Sequence, residues 1–427
     1  MQDPALEHPV RELTYIGLAL LAAVPGVWVA FSGTEPPPVV AALVFGLAIV
    51  GAAFLLSWAA EVVQMDIAAG LALALLALIA LLPEYAVDFV FTWKAGEDPS
   101  YAPYALANMT GANQLLIGFG WPLVVLLGTW RVRKLTRGQT GPTEIGGATS
   151  TEIHLARGQS IDIAFLTLAS IYGLSLPLRS SLTLVDAAVL VTLYVLYLIR
   201  LSKAPTSEPH LIGPAAYLGS FPKRRRRTVN IVMFVVAAAV ILACAEPFAE
   251  SLLHVGEELG IDEFLLVKWL APLASEAPEL LVAGLFAWRM QARIGLGALV
   301  SSKVNQWTLL VGSLPIVFAI SSASLHGLPL DVQQRDELFV TAAQSIFAVA
   351  VLASRSISRN EAWVLLGLFA VQLASSGILP EHYAAPGRLG VGIAFLVGAL
   401  WVLRNTFGSL KTVMRDGLRV PVAELYE

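Results

Sequence analysis

The chain has 427 residues, 57% of them hydrophobic and 14% charged, with a mean hydropathy of +0.73. So apolar a chain excludes a water-soluble enzyme or nucleic-acid binder and implies a polytopic membrane protein. The net charge of -4 says little about partners because the charges are segregated, and the single cysteine, Cys244, excludes a disulfide framework or thiolate cluster.

Residues 1–12 are polar and acidic rather than basic, so the apolar run behind them reads as a retained span and not as a cleaved signal peptide. From there, about twelve stretches are long enough to cross roughly 30 Å of hydrocarbon. They lie near 13–32, 39–60, 67–93, 104–130, 160–177, 183–201, 229–251, 263–288, 295–323, 336–354, 362–379 and 387–405. Basic residues collect after the even-numbered spans: Arg131, Arg133, Lys134, Arg137 and Arg157 after the fourth, Lys203 and the run Lys223 to Arg227 after the sixth, Arg289 and Arg293 after the eighth, Arg355 and Arg359 after the tenth. Short cytoplasmic loops hold Lys and Arg, so both termini are expected in the cytoplasm. The polar stretches 138–159 and 202–227 are too short for soluble domains and read as linkers, the second ending in a basic topology anchor.

A short element occurs twice. Pro83-Glu84 begins P-E-x6-F-x-W on span three, ending at Phe91 and Trp93, and Pro278-Glu279 begins it again on span eight, ending at Phe286 and Trp288. A second shared element follows, Asn113-Gln114 with Gly120 in the first copy and Asn305-Gln306 with Gly312 in the second. Glu to Asn is 29 positions in one copy and 26 in the other, a difference an interhelical loop absorbs. Five spans separate the copies, so they enter the membrane from opposite faces. This is an inverted repeat, the symmetry of many secondary transporters, whose sites form on interrupted helices near the bilayer midplane.

Proline in a helix removes its own amide donor and displaces the carbonyl four residues earlier. Pro83 should free the carbonyl of Ile79, and Pro278 that of Ala274. Carbonyls beside carboxylates make a site of hard oxygens, suited to Na⁺ or Ca²⁺. Glu84 and Asp88 are spaced i, i+4, and Glu276 and Glu279 i, i+3, so each pair shares a helix face. One charge at the bilayer centre costs about 3 kcal/mol on insertion scales, so four buried acids imply a cation or protons. Glu84 and Glu279 are the expected metal ligands; Asp88, Glu276, Asn113 and Asn305 complete the candidate cation site. Thr110, Ser301 and Ser302 offer hydroxyls, or serve only to pack helices. Lys303 either pairs with Glu276 or Glu279 or snorkels to the surface. Glu246 and Glu250 around Pro247, and Ser57 with Glu61, either line an ion or proton path or sit solvated at span ends.

At these residues the chain resembles the cation/calcium exchanger superfamily of sodium/calcium exchangers and calcium/proton antiporters. The segments that carry the likeness are residues 79–84 with Gly111-Ala112-Asn113, and residues 274–279 with Lys303-Val304-Asn305. The resemblance implies an all-α fold of five plus five core helices with one extra at each end, and alternating access in which spans two and seven slide. It implies that Glu84 and Glu279 are the central ion-binding glutamates and Asn113 and Asn305 the ligands of the second hairpins. Ala80-Leu81, Glu276 and Lys303 depart from the usual Thr-Ser, Ser and Gly, which shifts weight from several-sodium coupling toward protons. Residues 1–38 then form an extra helix, 39–201 and 229–379 the two repeats, 202–228 a basic cytoplasmic linker, and 380–427 an extra helix and tail. The expected function is antiport of Ca²⁺ against H⁺ or Na⁺. The alternatives are an Na⁺/H⁺ antiporter with Lys303 at the site and, from other classes, a transport-inactive scaffold or sensor or an intramembrane enzyme using paired carboxylates. No cofactor is expected beyond the transported ions, and no partner beyond the inorganic cation and the bilayer.

Overall fold

In the computed structural model the described residues are 9–63, 65–66, 82–137, 143–205, 211–377 and 381–426. Each of the twelve apolar stretches coincides with a helix, the third being described only from Leu82. Among the described residues nine helices are long and apolar enough to cross a membrane. In chain order the helices are α1 (Pro9–Ser32), α2 (Pro38–Val63), α3 (Leu82–Glu97), α4 (Ala102–Leu115), α5 (Trp121–Leu135), α6 (Ser160–Gly173), α7 (Leu184–Leu201), the short α8 (Pro214–Gly219), α9 (Lys223–Leu259), α10 (Glu263–Trp288), α11 (Ala292–Asn305), α12 (Val311–Ser321), α13 (Val332–Leu352), α14 (Arg359–Gly377) and α15 (Glu381–Leu418).

Local chemistry sets several ends. Asp331 caps α13 by accepting from the Gln334 amide at 2.8 Å while the Gln334 side chain accepts from the Asp331 amide at 2.7 Å, a reciprocal capping box. α9 stops at Gly260, which turns left-handed at φ 64° as only glycine does without strain. Spans four and nine are each broken by a five-residue π turn, Leu116–Gly120 between α4 and α5 and Gln306–Leu310 between α11 and α12.

The chain divides into two units that interleave along the sequence. The first comprises Met1–Phe91 and Leu201–Pro278, the second Thr92–Arg200 and Glu279–Glu427. In the first, α2 packs along α9 and α1 along α2. A Cβ on Gly26 would lie 2.5 Å from the Ala48 Cβ, and one on Gly51 2.4 Å from the Ala19 carbonyl oxygen, so backbone meets backbone without side chains between. Small residues at crossings are how helices associate where lipid is as apolar as leucine. Beyond α2, Asp66 accepts two bonds from Arg226, at 2.9 and 3.0 Å. This fork holds the Asp66 carboxyl below the usual carboxylate range.

The second unit contains the end of α3 from Thr92, α4 to α7, the end of α10 from Glu279, and α11 to α15. Two short antiparallel ribbons join its connections. β1 (Glu152–His154) pairs with β4 (Ser356–Ser358), with Ile153 opposite Ile357, and β2 (Ser181–Leu182) pairs with β3 (Leu328–Pro329). Arginines fasten the tail. Arg157 donates to Asp416 at 3.1 Å and to the Glu424 carbonyl at 3.1 Å, and Arg200 donates to the carbonyls of Gly417, Asp416 and Val420.

The helix interruption expected at Pro278 takes a different form, and the turn before Pro83 lies outside the described residues. α10 runs unbroken through both Pro272 and Pro278. A proline removes one amide donor and strains one carbonyl, but the i to i−4 bonds on either side persist, so the helix is weakened locally and not severed. Each hairpin also carries a π turn, which starts two residues after Gln114 in the first copy and at Gln306 itself in the second.

Candidate functional site

In the first unit, α3 carries Glu84 and Asp88, 1% and 0% exposed, one helical turn apart on one face. Pro83 directly precedes Glu84 on α3; Ile79, expected to offer its carbonyl, lies outside the described residues. On α10, Glu276 is 1% exposed and follows Ser275, whose hydroxyl donates back to the Ala271 carbonyl at 3.2 Å. Ala274, the carbonyl contributor expected from Pro278, sits inside this continuous helix.

In the second unit, Glu279 places both carboxylate oxygens out of reach of solvent, and Ser302 of α11 is the side chain that faces them. Asn113 is fully buried on α4. Its side-chain nitrogen donates to the Met109 carbonyl at 2.8 Å, which fixes the amide so that Oδ1 points away from its own helix. That oxygen accepts from the Lys303 ammonium at 2.5 Å, and the Asn113 carbonyl lies 3.4 Å from the same nitrogen. Lys303 is fully buried, with its ammonium 4.7 Å from the centre of the Trp307 ring. Of the two positions open to Lys303 from sequence, interior or surface, it takes the interior, and an amide oxygen that sequence could not identify is among its contacts.

Asn305 is buried on α11 beside Lys303. The Thr110 hydroxyl donates to the Leu106 carbonyl at 2.6 Å, leaving only its lone pairs for a cation. The Ser301 hydroxyl donates to Asp162 at 2.6 Å, and Tyr197 donates to the same oxygen at 2.7 Å. Glu246 and Glu250 both lie on the exposed face of α9, whereas Glu61 is half-buried and receives the Ile212 backbone amide.

Among the buried polar clusters that the described residues form outside the expected set, two lie in the second unit beside its candidate residues. One is the Asp162, Ser301 and Tyr197 cluster. The other joins α4 to α13: Gln114 donates to Thr341 at 2.7 Å and to Glu337 at 3.2 Å, and Gln344 donates to the Gln114 carbonyl at 3.3 Å. The spacing of Glu337, Thr341, Gln344 and Ser345 puts all four on one helix face, a signal present in the sequence.

Buried acids and amides on a duplicated pair of hairpins, each ending in a π turn, define an integral membrane ion transporter built on inverted repeats. The family model for "Sodium/calcium exchanger protein" matches residues 38–203 and 229–377, and the chain belongs to that family. Its fold is similar to the crystal structure of an H⁺/Ca²⁺ exchanger, CAX, at 40% identity and a TM-score of 0.84, over 96% of this chain and 98% of that one. It is also similar to native YfkE, at 15% identity and TM-score 0.59, over 89% and 99% of the two chains. The sodium-calcium exchanger NCX_Mj, soaked with 100 mM Na⁺ and 10 mM Sr²⁺, matches at 16% identity and TM-score 0.51, over 79% and 98%. No curated protein matches the sequence significantly.

Proposed function

We propose that this protein is a secondary active antiporter that exchanges Ca²⁺ for H⁺ by alternating access, with Na⁺ as the alternative coupling ion. The observation that carries the reading is the 40% identity to the H⁺/Ca²⁺ exchanger CAX across nearly the whole of both chains. The donor set supports it: Glu84, Asp88, Glu276 and Glu279 supply hard anionic oxygens, and Asn113 and Asn305 neutral ones, the chemistry that divalent calcium prefers. Glu84 and Glu279 bind cation and proton in turn. Both termini lie in the cytoplasm, where the basic connections after the even-numbered spans hold them, and residues 39–201 and 229–379 form the two repeats.

The function follows from competition. A carboxylate that must release its proton before it accepts Ca²⁺ cannot carry both, so a proton gradient of one direction drives calcium in the other. The test is ⁴⁵Ca²⁺ uptake into proteoliposomes under an imposed pH gradient. Uptake is expected to collapse with Glu84→Gln and with Glu279→Gln, and to weaken on lowering the pH of the calcium-binding side. Uptake that survives both substitutions would show that the site is misassigned. A second reading, Na⁺/H⁺ exchange, is favoured by the buried Lys303, which already supplies one positive charge; Na⁺ flux in the same vesicles distinguishes the two.

A further inference from the structure

The two copies of the hairpin element match at the asparagine but not two residues before it, where the first copy has Gly111 and the second Lys303. A duplicated site built on inverted repeats offers two equivalent half-sites, each with its own amide oxygen. Lys303 makes them unequal. Its ammonium reaches across to the other copy, where it holds Asn113 Oδ1 at 2.5 Å and approaches the Asn113 carbonyl at 3.4 Å. Three features keep it there. The Asn113 side-chain nitrogen is tied to the Met109 carbonyl at 2.8 Å, so the amide cannot turn its donor toward the lysine. The Trp307 ring stands 4.7 Å from the ammonium and attracts its charge. Residue 111, two residues before Asn113, is glycine and adds no side chain of its own.

We infer that Lys303 is a tethered cation that permanently fills the Asn113 half of the duplicated site, so that the transporter binds one free cation where two symmetric half-sites would bind two. This rests on the antiporter reading above and adds the residue that sets how many ions are taken and how tightly. An ammonium and a dehydrated Na⁺ make the same demand on an amide oxygen, a close positive charge, and the oxygen cannot meet two such demands at contact distance. The fixed charge also repels the ion bound to the remaining donors. Glu279, against Ser302, and Asp162, against Ser301, are the carboxylates that the second unit sets beside this stretch of α11. Whichever of them is ionised offsets the charge of the lysine and of the incoming ion.

The experiment is isothermal titration of the purified full-length protein in detergent with CaCl₂ and, separately, NaCl, comparing wild type, Lys303→Met and Lys303→Arg. Lys303→Met keeps the length and apolar bulk of the side chain and removes the charge. It is expected to bind Ca²⁺ about tenfold more tightly or better, and its Na⁺ dependence is expected to steepen from a Hill coefficient of about 1 toward about 2. Lys303→Arg keeps the charge and is expected to show neither change, which a merely structural lysine would not predict. Lys303→Gln carries the same readout if the methionine variant does not give a monodisperse, cooperatively melting protein. Calcium affinity and sodium steepness unchanged from wild type in the uncharged variants would overturn the inference while leaving the antiporter reading standing. Absence of cation binding by wild type and variants alike would overturn both.

Discussion

Gly118 lies in the first π turn, five residues beyond Asn113, and faces Phe369 of α14. A Cβ built there would sit 2.4 Å from Cγ and from Cδ2 of the ring and 2.6 Å from the Phe369 Cβ. Carbon atoms in ordinary contact stand about 3.5–4.0 Å apart, so Gly118→Ala must open the contact by about 1 Å. Rotating the ring relieves only part of this, because the third clash is with an atom one bond from the α14 backbone. The helix itself has to move. Overpacking of this kind costs about 1–3 kcal/mol, and the rigid partner puts the expected value at about 2–3 kcal/mol. The cost is steric, so it does not depend on transfer from water and persists in a bilayer, where the apolar transfer term is lost. SDS-titration unfolding in mixed micelles measures it. Phe369→Ala removes two of the three clashes, so the double variant should be less destabilised than the sum of the single variants by about 1–2 kcal/mol. A Gly118→Ala protein within about 0.5 kcal/mol of wild type would refute the argument, and would mean that α4 and α14 are not fixed to one another at this turn.

Gln114→Leu deletes one bond to a hydroxyl and one to a buried carboxylate, and is expected to cost about 2–3 kcal/mol in the same unfolding assay. A neutral outcome would place the strength of the α4 to α13 junction elsewhere. The Asp66 fork predicts a pH dependence. Its carboxyl is held low in the folded state, so the unfolded chain takes up the proton first, and the stabilisation is present above the unfolded value of about 3.9 and lost as pH falls through the folded one. The stability difference between wild type and Asp66→Asn should therefore be constant near neutral pH and shrink as the pH is taken below about 4. A difference that does not change across that range would show that the Arg226 fork contributes no net stability.

How far the sequence discloses this molecule depends on the range over which each feature is determined. Twelve apolar stretches, the duplicated Pro-Glu and Asn-Gln elements and the segregation of arginine are properties of short windows, and the structure bears out the helices they imply. The π turns are not readable in this way. One extra residue per turn leaves hydropathy unchanged, and the two turns share no sequence, Leu-Ile-Gly-Phe-Gly in one and Gln-Trp-Thr-Leu-Leu in the other. Pro278 misleads in the opposite direction, since a breaker in isolation is tolerated where neighbouring turns hold the helix. The partner of Lys303 lies 190 residues away in the chain. Sequence identifies a buried lysine as anomalous, but only the fold brings the Asn113 amide oxygen to it. The polar face of α13 stands between these cases. Its spacing is regular, yet Glu337 falls at the end of an apolar run, where an acid passes for a solvated terminus.

The two units are held by different forces, and this difference bears on movement. The second is stitched by directional contacts: Gln114 to Thr341 and Glu337, Ser301 and Tyr197 to Asp162, two β ribbons, and the arginines around Asp416. A hydrogen bond lengthened by an ångström is lost, so a helix held this way has one position. In the first unit, α1, α2 and α9 meet through Gly26, Gly46, Gly51, Ala48 and Phe248, contacts of shape that change gradually as helices shift along one another. Family resemblance assigns the sliding motion to α2 and α9, and the packing supplies a reason for it. Amide hydrogen exchange in nanodiscs gives the corresponding measurement: exchange in α2 and α9 is expected to respond to added Ca²⁺, while α4, α6 and α13 stay protected with or without it. Calcium-dependent exchange confined to α4 and α13 would mean that the hydrogen-bonded helices are the ones that move, and that small-residue packing in α2 and α9 serves close assembly alone.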